Sequence, residues 1–279
     1  MTLDKASTVR LSNGVEMPML GFGTYKITDD TEVERSVLTA FEAGYRSIDT
    51  ASMYENEEAI GRALGACGIP REEIFLATKA WNDEQGEEGV LRAIDCSLAR
   101  LGVDRVDLYL VHWPFPDLYE STWRGMERVL ADGLTRAIGV CNFLPEHLEA
   151  LRAATGASPV VDQVEHHPWL QQPALREYCR THDIVVEAWA PIMRGRTDEV
   201  PELVEIAIAH EVSSVQVALR WHLQRGTVVI PKSTTPERIY ENADLFGFEL
   251  TDAEMAVIDA LDRGEAGRLG KHPDVWARE

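Results

Sequence analysis

Cysteine is scarce in this chain. Its four residues, Cys67, Cys96, Cys141 and Cys179, lie far apart and form no Cys-x-x-Cys pair, which excludes a disulfide framework and a structural zinc site and suits a reducing cytoplasm. Basic residues are also outnumbered. With 27 Lys and Arg against 47 Asp and Glu, the formal net charge of -20 argues against nucleic acid or an anionic membrane as a partner, because both need a basic footprint. No stretch approaches the roughly 18 apolar residues that cross a bilayer. Charges at Asp4, Lys5 and Arg10 interrupt the apolar run that a secretory signal needs, so neither insertion nor export is expected. No Ser/Gly-rich linker or second composition zone breaks the sequence, and a single domain over 1–279 is expected.

What the chain does contain is a regular alternation. Segment 8–18 reads as two short runs around Asn13-Gly14, a dipeptide that takes the positive φ angles of a tight turn, and predicts a small β-hairpin. Beyond it, short apolar runs alternate with stretches of helical period, the pattern of repeated βα units on a parallel sheet. Runs at 20–23, 47–49, 75–78, 106–111, 137–140, 160–164, 185–188 and 228–230 predict eight strands. Helical patterns near 31–43, 56–67, 84–101, 122–132, 145–154, 172–182, 213–224 and 236–246 predict eight helices, several opening on Asp, Ser, Thr or Pro. The fold class is therefore α/β: a (β/α)8 TIM barrel, which needs about 250 residues, preceded by the hairpin. Patterns at 199–210 and 251–262 predict two extra helices, 191–200 an irregular loop, and the stretch after Asp262 an irregular tail.

Chemistry in such a barrel belongs at the C-terminal ends of the strands. Strand two runs into Asp49 with Tyr54 soon after, strand three meets Lys79, and strand four ends at His112. Each has a plain structural reading, as helix cap, half-buried ring, surface cation and core histidine respectively. Their occurrence together at three successive strand ends points instead to acid catalysis of hydride addition. A carbonyl oxygen gains negative charge as hydride reaches its carbon, and a phenol can protonate it. A nearby ammonium lowers a phenol from its usual pKa of about 10, so Lys79 is expected to acidify Tyr54, with Asp49 holding the lysine and His112 aiming the carbonyl. The pair His166-His167 has only Glu165 beside it, so no metal is expected.

The stretches GFGTY (21–25), GYRSIDTASMYENEEAIGRAL (44–64), LATKAWN (76–82), DLYLVHWP (107–114), IGVCNF (138–143), DQVEHHP (162–168) and IPKSTTPERIYEN (230–242) resemble the aldo-keto reductase family over nearly the whole chain. Within it the sequence looks most like bacterial diketogluconate and glyoxal or methylglyoxal reductases. The resemblance implies that Asp49, Tyr54, Lys79 and His112 form a catalytic tetrad and that NADPH is the cofactor. Asn142 and Gln163 would hold its carboxamide, Trp189 would stack on the nicotinamide, and Gly23 and Thr24 would give close approach. Pro191, Ile192, Met193 and Gly195 would cover the pyrophosphate, which has no GxGxxG turn to hold it here. Lys232, Ser233, Thr234, Arg238 and Asn242 would grip the adenosine 2′-phosphate, a role that suits a guanidinium fork, an ammonium and hydroxyl donors.

Three positions depart from the family pattern. Cys141 replaces a serine beside the carboxamide site, exchanging a hydroxyl for a weak thiol donor; His166 replaces an aromatic; Met53 replaces an alanine before the tyrosine and is expected to narrow the pocket. The loop at 113–120 and the tail are short. With Tyr25, Trp81, Trp113 and Trp276 as apolar walls, they predict an open pocket for small aldehydes, α-dicarbonyls and sugar-derived ketones rather than steroids. Two other readings stand beside this one: a barrel aldolase or isomerase using Lys79 as a Schiff-base nucleophile, and a non-catalytic barrel that retains NADPH as a sensor. A monomer is expected.

Overall fold

A computed structural model describes residues 3–276. The hairpin forms as expected: β1 (Thr8–Arg10) and β2 (Glu16–Pro18) pair antiparallel with Val9 opposite Met17, and Gly14 takes the turn at φ +88°. Its position explains its presence. Leu11 and Met17, both buried, join Phe75, Leu108, Leu110 and Val161 in one apolar cluster, so the hairpin caps the interior of the sheet.

That sheet has eight parallel strands in sequence order: β3 (Phe22–Gly23), β4 (Ser47–Asp49), β5 (Phe75–Ala80), β6 (Val106–Val111), β7 (Thr135–Cys141), β8 (Val161–Glu165), β9 (Val185–Trp189) and β10 (Val228–Val229). The first and last strands also meet. Leu20 bridges Val229 in parallel, and the amides of Gly21 and Gly23 donate to the carbonyls of Val229 and Pro231 at 2.8 and 3.1 Å, which closes the ring. Strands β5 and β6 are buried along their full length, as parallel strands covered on both faces must be.

Eight helices form the outer layer: α1 (Asp30–Ala43), α2 (Glu57–Ala66), α3 (Glu87–Leu101), α4 (Tyr119–Ala131), α5 (Pro145–Thr155), α6 (Pro173–Thr181), α8 (Ser214–Gln224) and α9 (Pro236–Ala243). The two extra helices are α7 (Pro201–His210) and α10 (Asp252–Asp259), which share a second core with Trp221 of α8. No helix among the described residues is long and apolar enough to cross a membrane.

The structure corrects three expectations. β5 continues to Ala80, so Lys79 lies within the strand instead of following it. Helix α3 begins at Glu87, because the Glu84 carboxylate accepts the Trp81 amide at 2.7 Å to form a separate turn and Gly86 then adopts φ +89°. The segment after Asp262 is no irregular tail: it forms a turn at Gly264–Gly267 and a short helix, α11 (Pro273–Trp276), and is tied to the barrel by a His147–Asp274 contact of 2.9 Å.

Candidate active site

The four chemistry-bearing residues named above converge on one rim. Asp49 ends β4, Lys79 lies near the end of β5, and His112 follows β6; parallel register sets Asp49 opposite Ala77 and Lys79 opposite Leu110, so neighbouring strands bring them to the same end. Tyr54 closes the turn Ser52–Tyr54 after β4. Buried Asn56 fixes that segment by accepting from Thr50 Oγ1 at 2.7 Å and donating to the carbonyls of Thr24 and Ile27 at 3.1 and 3.2 Å. Ser52 Oγ donates to Glu84 at 2.6 Å, the same carboxylate that holds the Trp81 amide, which ties the tyrosine turn to the loop after β5.

Lys79 Nζ is fully buried and donates to Asp49 at 2.6 and 2.8 Å and to the Thr50 carbonyl at 2.8 Å. All three ammonium hydrogens are engaged. Burial alone would pull the ammonium down, but the Asp49 charge overcomes it and holds Lys79 above its ordinary value. Nζ lies 5.1 Å from the centre of the Tyr54 ring. The ring of Tyr54 also meets Tyr25 at 4.9 Å and, edge-on, His112 at 5.7 Å between centroids, while Trp81 meets His112 at 4.9 Å.

The expected acidification of Tyr54 does not occur in the protein alone. Burial pushes the phenol above its ordinary value, and although the Lys79 charge pulls it down, Asp49 partly offsets that pull. Tyr54 is therefore firmly protonated near neutrality. His112 is driven well below its ordinary value by burial and by the Lys79 charge, so it is neutral; its Nδ1 has no partner among the described residues.

Next to the tetrad, Asn142 adopts φ +64°, a left-handed conformation that asparagine tolerates. Its Nδ2 donates to the His112 carbonyl at 3.0 Å and to Cys141 Sγ at 3.1 Å, and its Oδ1 accepts the indole N–H of Trp189 at 2.8 Å. Gln163 is nearly inaccessible, and its Nε2 reaches inward to Asp49 Oδ2 and Glu187 Oε2, both at 2.7 Å. Thr24 is likewise buried and donates its hydroxyl to the Asp49 carbonyl at 2.9 Å. Burial raises the Cys141 thiol well above its usual value, which excludes a reactive thiolate.

In the loop after β9, Ala190, Met193 and Arg194 all have positive φ of 53–55°. Each such non-glycine residue costs about 1–2 kcal/mol. Pro191 and Met193 are buried, Met193 in the second core, while Ile192 is half-buried and Gly195 exposed. Lys232, buried Ser233 and Thr234 precede α9, exposed Arg238 lies in its first turn and buried Asn242 in its last, and neither cation forms an ion pair among the described residues. Most other arginines here do, including Arg62, Arg71, Arg100, Arg136 and Arg152. Two unneutralised cations with hydroxyl and amide donors fit a phosphate monoester; Asn142 and Gln163 have their amide hydrogens engaged, and beside the Trp189 indole only their oxygens are left to accept from a planar carboxamide-bearing ring. Met53 is half-buried, Trp113 buried and Tyr25 exposed; the Trp276 side chain lies outside the described residues.

Two acidic residues of this region have no role in the site expected from sequence: Glu187, bonded to Gln163, and Glu165, read there only as the lone carboxylate beside the histidine pair and buried here against His167 at 3.0 Å. Both occupy strand positions whose period-two alternation does not reveal which chain segment faces them. Among the described residues no group of three or more His, Cys, Asp or Glu could hold a metal.

Residues 19–263 match the aldo/keto reductase family. The chain is 49% identical over 267 residues to the glyoxal reductase of Bacillus subtilis, with 96% of each chain covered. It superposes on a crystal structure of an aldo/keto reductase from Brucella melitensis with a TM-score of 0.89 at 46% identity, covering 92% of this chain and all of that one. A mutant of the protein Gox0644 in complex with NADPH gives 0.92 at 42% identity, covering 97% of this chain and 98% of the other.

Proposed function

The chain belongs to the aldo/keto reductase family, and from that premise we propose that it reduces small aldehydes and ketones to alcohols with NADPH, Tyr54 delivering the proton. It is an oxidoreductase of carbonyl groups. The observation that carries the finer reading is the Lys79 ammonium 5.1 Å from the centre of the Tyr54 ring, itself locked on Asp49.

The nicotinamide supplies the hydride when bound. Asn142 and Gln163 would hold its carboxamide, Trp189 would face its ring, residues 191–195 would cover the pyrophosphate, and Lys232 with Arg238 would grip the 2′-phosphate. NADPH in the Gox0644 complex supports that choice of cofactor. Tyr54 keeps its proton until the substrate oxygen gathers charge, because burial makes the free phenol a weak acid. Lys79 then stabilises the phenolate that remains, and neutral His112 donates to the same oxygen. A Schiff-base role for Lys79 is disfavoured, since an ammonium with three bonds and a raised pKa has no free lone pair. A mere sensor barrel has no use for this buried, charged constellation.

The short segments at 113–120 and after Asp262, with Trp81 and Trp113 as walls, favour α-dicarbonyls and sugar-derived ketones, and the similarity to a glyoxal reductase points the same way. A single barrel domain carries both sites, acting as a monomer in the cytoplasm. NADPH consumption across a carbonyl panel tests this, with Tyr54→Phe beside the wild type. Methylglyoxal-like substrates should outperform bulky steroid ketones, and Tyr54→Phe should bind NADPH but lose turnover by about two orders of magnitude or more. A Tyr54→Phe variant with wild-type turnover would remove the proposed acid.

A further inference from the structure

Glu165 ends β8 in direct register with Trp189, which ends β9, and paired residues of parallel strands project to the same side. The Glu165 carboxylate is wholly buried and lies below its ordinary value, because the His167 contact and the amides of Leu269 and Gly270 overcome the effect of burial. Leu269 N donates to Oε1 at 2.6 Å and Gly270 N to Oε2 at 2.9 Å; Arg268 adds a cation at 3.8 Å. The C-terminal segment is thus clipped onto a buried anion beside the indole.

Gly270 shows how close that approach is. A Cβ there would meet Glu165 Oε2 at 2.8 Å and would fall inside contact distance of the six-membered ring of Trp189. Gly270 therefore packs closely against the six-membered ring, while the indole N–H is held by Asn142 at 2.8 Å. These two constraints fix the plane of the indole.

We propose that Glu165 is a positioning residue for the cofactor: by holding the Leu269 and Gly270 amides it presses the C-terminal segment against Trp189 and sets the platform on which the nicotinamide lies. This rests on the reading of Trp189 as that platform. Pre-setting the ring removes an ordering cost from binding, so loss of the clip should weaken NADPH binding and leave turnover at saturation nearly unchanged.

The test measures three things on the full chain: hydrogen exchange at the Leu269 and Gly270 amides without cofactor, the NADPH Kd by titration, and kcat at saturating NADPH. In Glu165→Gln, which cannot accept both amides as an anion does, exchange at these positions should rise about tenfold or more and the Kd by about tenfold, with kcat within about twofold of wild type. Gly270→Val keeps the carboxylate but pushes on the ring; it should raise the Kd similarly, and it decides the matter if Glu165→Gln does not fold. An unchanged Kd in the folded variants, or fast exchange of both amides in the wild type, overturns the clip. A wild type that binds no NADPH at all overturns the cofactor reading, and this inference falls with it.

Discussion

Gln163 joins Asp49 to Glu187, donating one hydrogen of its side-chain amide to each at 2.7 Å, so the catalytic rim continues downward into a buried carboxyl at the barrel axis. Burial and then the Asp49 charge push Glu187 up to about 8. The native state therefore holds a proton on Glu187 that the unfolded chain releases near pH 4.5. Stability due to this residue is full below that value, declines as pH rises through the window to about 8, and is constant beyond it.

Glu187→Gln keeps the acceptor for Gln163 and removes the titration. The wild type should lose stability relative to this variant by up to about 1.4 kcal/mol per pH unit in the middle of the window, read by urea unfolding at several pH values. Buried His112, His166 and His222, all held below their ordinary values, contribute the opposite slope below neutrality. They are present in both proteins and cancel in the difference. A difference that does not vary with pH would show that Glu187 is ionised throughout.

Removing Asp49 should be costly in both stability and activity. Among the described residues its carboxylate is the only anion bonded to the fully buried Lys79 ammonium, and breaking one side of such a pair costs about 3–5 kcal/mol. Asp49→Asn should therefore lower the urea midpoint markedly and, by freeing Lys79 from its place beside Tyr54, reduce kcat more than NADPH binding. Wild-type stability in this variant would mean that Thr50 and solvent suffice to hold the cation.

The thiols should separate by burial. Cys96 is exposed and Cys67 half-buried, whereas Cys141 and Cys179 are buried with thiols raised by desolvation. Iodoacetamide followed by mass spectrometry should label Cys96 first, and Cys141 and Cys179 only after unfolding. Early labelling of Cys141 would contradict its inert role beside Asn142.

Much of this arrangement is legible from the chain alone because it depends on local pattern. The strands that carry Asp49, Lys79 and His112 are short apolar runs with a polar residue at the end, and barrel closure then dictates their meeting. What depends on ring curvature is not legible. Glu187 alternates with core residues like any inward position; it pairs in register with Gln163 on the adjacent strand, and nothing local says that Gln163 also reaches Asp49 on the far side of the ring. Likewise Asn13-Gly14 between two short runs predicts a hairpin, but not that its Leu11 and Met17 cap the barrel interior. For Tyr54, sequence supplies the neighbouring lysine but not the desolvation that outweighs it, which is why the phenol shifts in the opposite direction. The Glu165 clip joins segments about a hundred residues apart, a contact that no periodicity encodes.

Cofactor choice should depend on Arg238. This exposed guanidinium and Lys232 form no ion pair among the described residues, although the chain carries 20 more acidic than basic charges. Other exposed arginines, such as Arg10 and Arg92, also lack an ion pair among the described residues, but Arg238 and Lys232 lie together beside Ser233 and Thr234, and a 2′-phosphate would supply an anion to both. A charged hydrogen bond of this kind contributes about 1.5–3 kcal/mol, so Arg238→Ala should weaken NADPH binding by roughly 10- to 100-fold. NADH has no 2′-phosphate and should bind the variant and the wild type equally. The NADPH preference of the wild type should also shrink as salt rises, since both groups sit at the surface and are screened over about 8 Å at physiological ionic strength. Equal losses for NADPH and NADH in Arg238→Ala would instead make this arginine a structural support for α9, and the phosphate grip would have to lie elsewhere.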